Sequence, residues 1–99
     1  MNYELEFLKE AKKEWDKLDN NAKMAFKKVL KRRLVNPIVE KDKLSNTIEQ
    51  DCYKIKLKAL GLRLVYKVEQ DKLILLIITI GKREKDEVYK IMHDRLKKL

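Results

Sequence analysis

From Tyr53 to Val68 the chain reads YKIKLKALGLRLVYKV, and its apolar and cationic residues take turns. Tyr53, Ile55 and Leu57 interleave with Lys54, Lys56 and Lys58, while Leu62, Leu64, Tyr66 and Val68 interleave with Arg63, Val65 and Lys67. A period of two sends successive side chains to opposite faces of a strand, so each half has one buried and one wet face. Ala59-Leu60-Gly61 separates the halves, and Gly61 can take the positive φ of a short hairpin loop. The expected object is a two-stranded antiparallel ribbon, apolar on one side and cationic on the other. It carries no carboxylate, whereas the rest of the chain mixes Lys with Glu and Asp. Such a surface suits phosphate. Lysines on an outer strand face also serve solubility and edge protection, and local patterning leaves that reading open.

Charge supports a polyanion partner. The 99 residues hold 25 Lys and Arg against 16 Asp and Glu, a formal charge of +9; RNA, DNA, a ribosome or an acidic protein would each fit. A hydrophobic fraction of 44% with 2 Gly and 1 Pro indicates a folded chain, and its length suits one domain, 1–99. Cys52 is the sole cysteine, which excludes an intramolecular disulfide and fits a reducing compartment. The N-terminus MNYELEF lacks the pattern of a signal peptide, and the longest apolar run, Leu73 to Ile80, is too short to span a bilayer. A cytoplasmic protein without a membrane partner is expected.

Tyr3, Leu5 and Phe7 alternate with acidic residues and suggest a first strand. From about Leu8 the period becomes helical, with Ala11, Trp15 and Leu18 on one face. Asp19-Asn20-Asn21 breaks that helix and offers an N-cap for a second. There Ala22, Ala25, Phe26, Val29 and Leu30 form the stripe, and Lys23, Lys27, Lys28, Lys31, Arg32 and Arg33 are expected mostly outside. Asn36-Pro37 ends it. The acidic connector that follows is pinned by Leu44 and Ile48. Leu73 to Ile80, with Ile and Leu on both faces, reads as a central, doubly covered strand. Val88, Met92, Leu96 and Leu99 give a C-terminal helix its apolar face. The order β-α-α-β-β-β-α implies an α+β fold: an antiparallel four-stranded sheet with the helix pair on one face and a short C-terminal helix.

The chemistry is narrowed by what is missing. A single histidine, His93, excludes a paired-histidine ribonuclease and a histidine-rich zinc site; two glycines cannot build a phosphate loop. No metal site or cofactor is expected. What remains is cationic: Lys54, Lys56 and Arg63 on the ribbon, with Arg83 and Tyr89 after the central strand. RNA can be cleaved without metal when its own 2′-OH attacks the adjacent phosphorus, and clustered cations stabilise the phosphorane that forms. A lysine with the ordinary pKa of about 10.4 is a poor base; like-charge crowding would have to lower it by roughly three units, about 4 kcal/mol. Arg83 suits a charge clamp better than a proton donor, and Tyr89 can stack on a base or donate its hydroxyl.

DCYKIKL followed by GLRLVYKV, an Ile-rich strand ending in IGKRE, and then EVY resembles the RelE-type toxins of bacterial and archaeal toxin–antitoxin pairs. The early EW-x-KL and the Asn-Pro after the second helix extend the similarity. The resemblance implies a small microbial-ribonuclease-like fold. It implies an endonuclease that cuts messenger RNA in the ribosomal A site by metal-independent 2′-OH attack, leaving a 2′,3′-cyclic phosphate and a 5′-OH. By position, Lys54 matches the general base, Lys56 and Arg63 the transition-state stabilisers, Arg83 an acid or charge stabiliser, and Tyr89 the residue that stacks on RNA. Lys58, Lys67, Lys82, Lys28 and Arg32 are the expected RNA and ribosome contacts. The implied partners are messenger RNA, the 30S A site and a cognate antitoxin that wraps the toxin, with DNA touched only through the antitoxin. The connector SNTIEQ, with Ser45 where relatives often carry a base, departs from the pattern. His93 falls one turn after Tyr89; related toxins with a Glu–His pair use a C-terminal histidine, but a lone one in a solvated helix is more often a spectator.

Two rivals share this surface. A ParE-type gyrase inhibitor would have the same fold and no need of the Lys54–Arg83–Tyr89 set. A non-catalytic RNA- or ribosome-binding module would bind in a salt-dependent way and leave RNA intact.

Overall fold

A computed structural model describes residues 2–44, 51–82 and 87–99, and of Glu87 the backbone alone. Its elements are β1 (Glu4–Phe7), α1 (Lys9–Asp16), α2 (Asn20–Val35), β2 (Cys52–Leu57), β3 (Leu62–Glu69), β4 (Ile74–Lys82) and α3 (Glu87–Leu96). Single 3₁₀ turns occupy Glu40–Asp42 and Lys58–Leu60. Ser45, Ile48 and Arg83 lie outside the described residues.

The ribbon forms as the alternation requires. β2 and β3 pair antiparallel, with Tyr53 opposite Tyr66, Ile55 opposite Leu64 and Lys56 opposite Arg63. Gly61 closes the loop at φ +63°, a left-handed conformation that glycine alone adopts without steric cost. The sheet order is β1-β4-β3-β2, so β4 is central, as its two-faced apolar sequence implies.

The sheet is not antiparallel throughout, and here the sequence reading is corrected. β1 runs parallel to β4, from Glu4 opposite Ile74 to Phe7 opposite Ile77. Hairpins force neighbouring strands to alternate in direction, but β1 reaches the sheet through two helices, and a long crossover permits either direction. Nothing in a four-residue strand records which.

Two apolar layers sandwich the sheet. On one face Ala11 and Trp15 of α1 and Phe26 and Leu30 of α2 pack on Tyr53, Ile55, Leu64, Tyr66, Val68, Leu75, Ile77 and Ile80. Burying a side chain the size of Phe26 contributes about 1.5–3 kcal/mol. Asp19 caps α2 by accepting a hydrogen bond from the Ala22 N–H at 2.8 Å. On the other face Val88, Met92 and Leu96 of α3 cover Cys52, Val65 and Ile78. Leu99 does not join them: α3 ends at Leu96, and Leu99 is 62% exposed.

A bulge sets the phase of β4. Val65 pairs with Thr79 and Tyr66 with Ile77, so Ile78 has no counterpart on β3. The extra residue lets Ile77 and Ile80 both face the helix pair while Ile78 faces α3.

Arg33 is a second correction, since it points inward. Its Nη2 donates to Asp42 Oδ2 at 2.6 Å and its Nη1 to the Tyr66 hydroxyl at 2.7 Å, and that hydroxyl in turn donates to the Pro37 carbonyl at 2.8 Å. The side chains of Arg33 and Asp42 are 11% and 19% exposed. This knot ties α2 and the connector to the ribbon's apolar side. Arg33 follows Phe26, Leu30 and Val29 at helical spacing, so periodicity alone places it on the buried face.

Candidate active site

The ribbon face turned toward α3 changes character along its length. Near Cys52 and Val65 it is apolar and roofed by α3; toward the hairpin loop it carries Lys54, Lys56 and Arg63. Lys54 and Lys56 are two apart on β2 and share that face, and Arg63 sits directly opposite Lys56.

Tyr89, near the start of α3, reaches this cluster. Arg63 Nη1 donates to the Tyr89 hydroxyl at 2.9 Å, and the guanidinium carbon lies 5.3 Å from the ring centroid. Such a pairing leaves guanidinium charge beside a partly exposed aromatic face, an arrangement suited to a phosphate flanked by a stacked base.

Lys56 is electrostatically unusual. The Lys54 ammonium pushes its pKa below the ordinary lysine value, and desolvation, the Arg63 charge, a hydrogen bond with Lys54 and the Lys58 charge add to the effect. Bringing cations together disfavours the protonated form, and the like-charge neighbour on the same strand face dominates. Lys56, which the resemblance implies as a transition-state stabiliser, therefore holds its proton less tightly than an ordinary lysine.

Of the other expected residues, Lys58 lies in the 3₁₀ turn of the hairpin loop, and Lys82 pairs with Leu62; both are exposed at the cationic end of the sheet. Lys67 pairs with Cys52, four residues along β3 from Arg63, about 13 Å away. Lys28 and Arg32 are exposed on α2, which packs on the opposite face of the sheet. The structure therefore gathers Lys54, Lys56, Arg63 and Tyr89, with Lys58 and Lys82 at the border, and leaves Lys67, Lys28 and Arg32 elsewhere. Arg83 falls outside the described residues. His93 is half-buried on α3.

Sequence reasoning passed over Glu14 and Arg95. Arg95 of α3 donates through both terminal nitrogens to the Glu14 carboxylate of α1, at 2.8 and 3.0 Å. Glu14 belongs to the EW motif, but only proximity in space reveals its partner, 81 positions away.

A four-stranded α+β sheet with a cationic, aromatic-edged patch at one end presents a surface suited to RNA or another polyanion. Comparison with known proteins makes the class specific. The family model for the ParE toxin of the type II toxin–antitoxin system parDE matches residues 5–87. The mRNA interferase toxin RelE of Escherichia coli K12 is 45% identical over 89 residues, 90% of this chain and 92% of that protein. Among solved structures, a mutant E. coli toxin RelE in the free state superposes with a TM-score of 0.86 at 41% identity, covering 97% of this chain and 99% of that one. The intact E. coli RelBE toxin–antitoxin complex matches with a TM-score of 0.78 at 42% identity, over 84% of this chain and 99% of the matched chain. The chain belongs to the RelE/ParE family of type II toxins.

Proposed function

We propose that this protein is the toxin of a type II toxin–antitoxin pair and an endoribonuclease that cuts messenger RNA in the ribosomal A site, halting translation in the cytoplasm. One observation carries the reading: Arg63, directly opposite Lys56 on the ribbon, is itself gripped by Tyr89, a tyrosine from another element. The 45% identity to an mRNA interferase supports it.

In the proposed reaction the substrate supplies its own nucleophile. The RNA 2′ oxygen attacks the adjacent phosphorus, the bond to the 5′ oxygen breaks, and the products are a 2′,3′-cyclic phosphate and a 5′-OH. The Lys54–Lys56 pair accepts the 2′ proton, with Lys56 holding the loosened site. Arg63 and the neighbouring ammonium stabilise the added negative charge of the phosphorane. Tyr89 stacks on a base and orients the phosphate against Arg63. Arg83 serves as a charge stabiliser for the departing 5′ oxygen, which takes its proton from water to become the 5′-OH. Lys58 and Lys82 extend the cationic border along the RNA backbone, and Lys67, Lys28 and Arg32 are left to contacts with ribosomal RNA. A cognate antitoxin is the implied protein partner, as RelB is for RelE in the solved E. coli complex; DNA would be reached only through it.

The second reading is a ParE-type gyrase inhibitor, favoured by the ParE description of the matching family model. The two separate cleanly. Purified protein is incubated with a stalled ribosome–messenger complex and the 5′ ends are mapped by primer extension, with naked RNA and the Arg63→Ala and Tyr89→Ala variants alongside. Cuts at the A-site codon, dependent on ribosomes and lost in both variants, support the nuclease. Intact RNA with retained ribosome binding means a binding module; intact RNA with inhibited gyrase supercoiling means the second reading.

A further inference from the structure

β4 is longer than the strand that borders it. β1 covers its outer edge from Ile74 to Ile77, yet β4 continues to Lys82. Beyond Ile77 the edge is completed by side chains. Glu14 Oε1 accepts from the Ile80 N–H at 3.1 Å and from the Thr79 hydroxyl at 3.3 Å. Arg95 Nη1 donates to the Ile78 carbonyl at 2.9 Å. The carboxylate thus takes a strand's acceptor role and the guanidinium its donor role, and the two are joined by a bidentate pair whose side chains are 26% and 14% exposed.

This pair clips three layers together. Glu14 comes from α1 on one face of the sheet, Arg95 from α3 on the other, and both grip the backbone of the strand between them. α3 has ten residues, too few for a helix to persist alone in water. Its apolar stripe of Val88, Met92 and Leu96 keeps it on the sheet, and apolar contact, being non-directional, does not by itself fix rotation or axial position. Two polar tethers remove that freedom: Tyr89 to Arg63 near one end and Arg95 to Glu14 near the other, about 9 Å apart along the axis.

We propose that Glu14 and Arg95 are positioning residues for Tyr89: the clip on the open edge of β4 sets the rotation and axial position of α3, and so the placement of the tyrosine ring over Arg63. The inference rests on the reading of Arg63 and Tyr89 as part of the RNA site. It assigns a role in the reaction to two residues that touch no substrate. The direction of the clip also matters, because the Ile78 carbonyl and the Ile80 N–H fix which side must donate and which accept.

The test uses the full chain with Glu14→Gln, the milder Arg95→Lys, and the reversed double variant Glu14→Arg with Arg95→Glu. In the free protein, nuclear Overhauser effects between the Tyr89 ring and the Arg63 side chain report placement without any substrate. Single-turnover cleavage on ribosome-bound messenger, measured in wild-type and Tyr89→Ala backgrounds, reports consequence. Each single variant is expected to weaken the Tyr89–Arg63 Overhauser effects and slow cleavage by about ten- to a hundredfold. In the Tyr89→Ala background the same substitutions should cost nothing more, since the residue they position is gone. The reversed pair should not rescue. Undiminished Overhauser effects in a folded Arg95→Lys variant, a rate loss that multiplies with that of Tyr89→Ala, or rescue by the reversed pair would each overturn the proposal. If the Overhauser effects weaken in the variants while the wild type cuts no RNA, the nuclease reading fails and the clip stands.

Discussion

Arg63 holds Tyr89 by edge and face at once: a 2.9 Å hydrogen bond to the hydroxyl and a guanidinium carbon 5.3 Å from the ring centroid. One residue comes from the ribbon and the other from the C-terminal helix, so each depends on the docking of the other. Removing either should therefore disable the same step. Arg63→Ala and Tyr89→Ala are expected to slow single-turnover cleavage by about 10²–10³-fold, the range for losing one preorganised charge donor. Tyr89→Phe, which keeps the stacking ring and loses the bond, should lose about tenfold or less. Wild-type rates in Tyr89→Ala would rule the residue out.

The state of Lys56 predicts a pH profile. Its pKa lies below the ordinary lysine value, mainly through Lys54, so its neutral form gains population at lower pH than in a free lysine. The cleavage rate should rise with pH and level off below the ordinary lysine pKa of about 10.4. In Lys54→Met the main repulsion is gone, the pKa of Lys56 climbs back, and the plateau should move to higher pH. A plateau unmoved by that substitution would exclude Lys56 as the base.

The same shift has a consequence for stability. Between the lowered native value and the ordinary one, the unfolded chain binds more protons at Lys56 than the native chain does, so unfolding becomes harder as pH rises through that window. Denaturant titrations of Lys56→Gln across that range should show a flatter pH dependence than wild type. Equal slopes would mean that the crowding is relaxed in solution.

Tyr66 anchors the opposite face. Tyr66→Phe removes the bonds to Arg33 and to the Pro37 carbonyl and should cost about 1–3 kcal/mol. At about 4–8 °C per kcal/mol for a domain of this size, calorimetry will resolve it. Burial, above all, raises the Tyr66 pKa, with Arg33 pulling the other way. Its contribution is therefore intact below about pH 10 and declines as pH rises through the raised native value. The Phe variant should be the less alkali-sensitive of the two.

Asp19→Ala deletes the α2 cap and should cost about 1 kcal/mol in chemical denaturation while the cleavage rate stays as in wild type. A rate change would tie α2 to the site more closely than the fold suggests.

Much of this architecture was legible in the sequence because its determinants are local. Alternation over Tyr53 to Val68 dictated the ribbon, its buried face and the cationic end of the other face, though not that α3 roofs that face at Cys52 and Val65; Gly61 marked the loop; Asp19 marked the start of α2; and the two-sided apolarity of Leu73 to Ile80 marked the central strand. Lys54, Lys56 and Arg63 shared a face by period alone, and family resemblance pointed to Tyr89.

Other features were decided only when distant parts of the chain met. The parallel direction of β1, the placement of α3 on the face away from the helix pair, and the bulge that sends Ile77 and Ile80 to one side and Ile78 to the other each reflect packing between segments far apart in sequence. So does the split among the cations: Lys54, Lys56 and Arg63 converge with Tyr89, while Lys67, Lys28 and Arg32 do not. Arg33 and Arg95 are two basic residues in a strongly basic chain, and each becomes structural because a carboxylate, Asp42 or Glu14, waits where its helix docks. Periodicity determines which way a side chain faces on its own element; which group it meets there depends on how the elements close on one another, and no short window of sequence contains that.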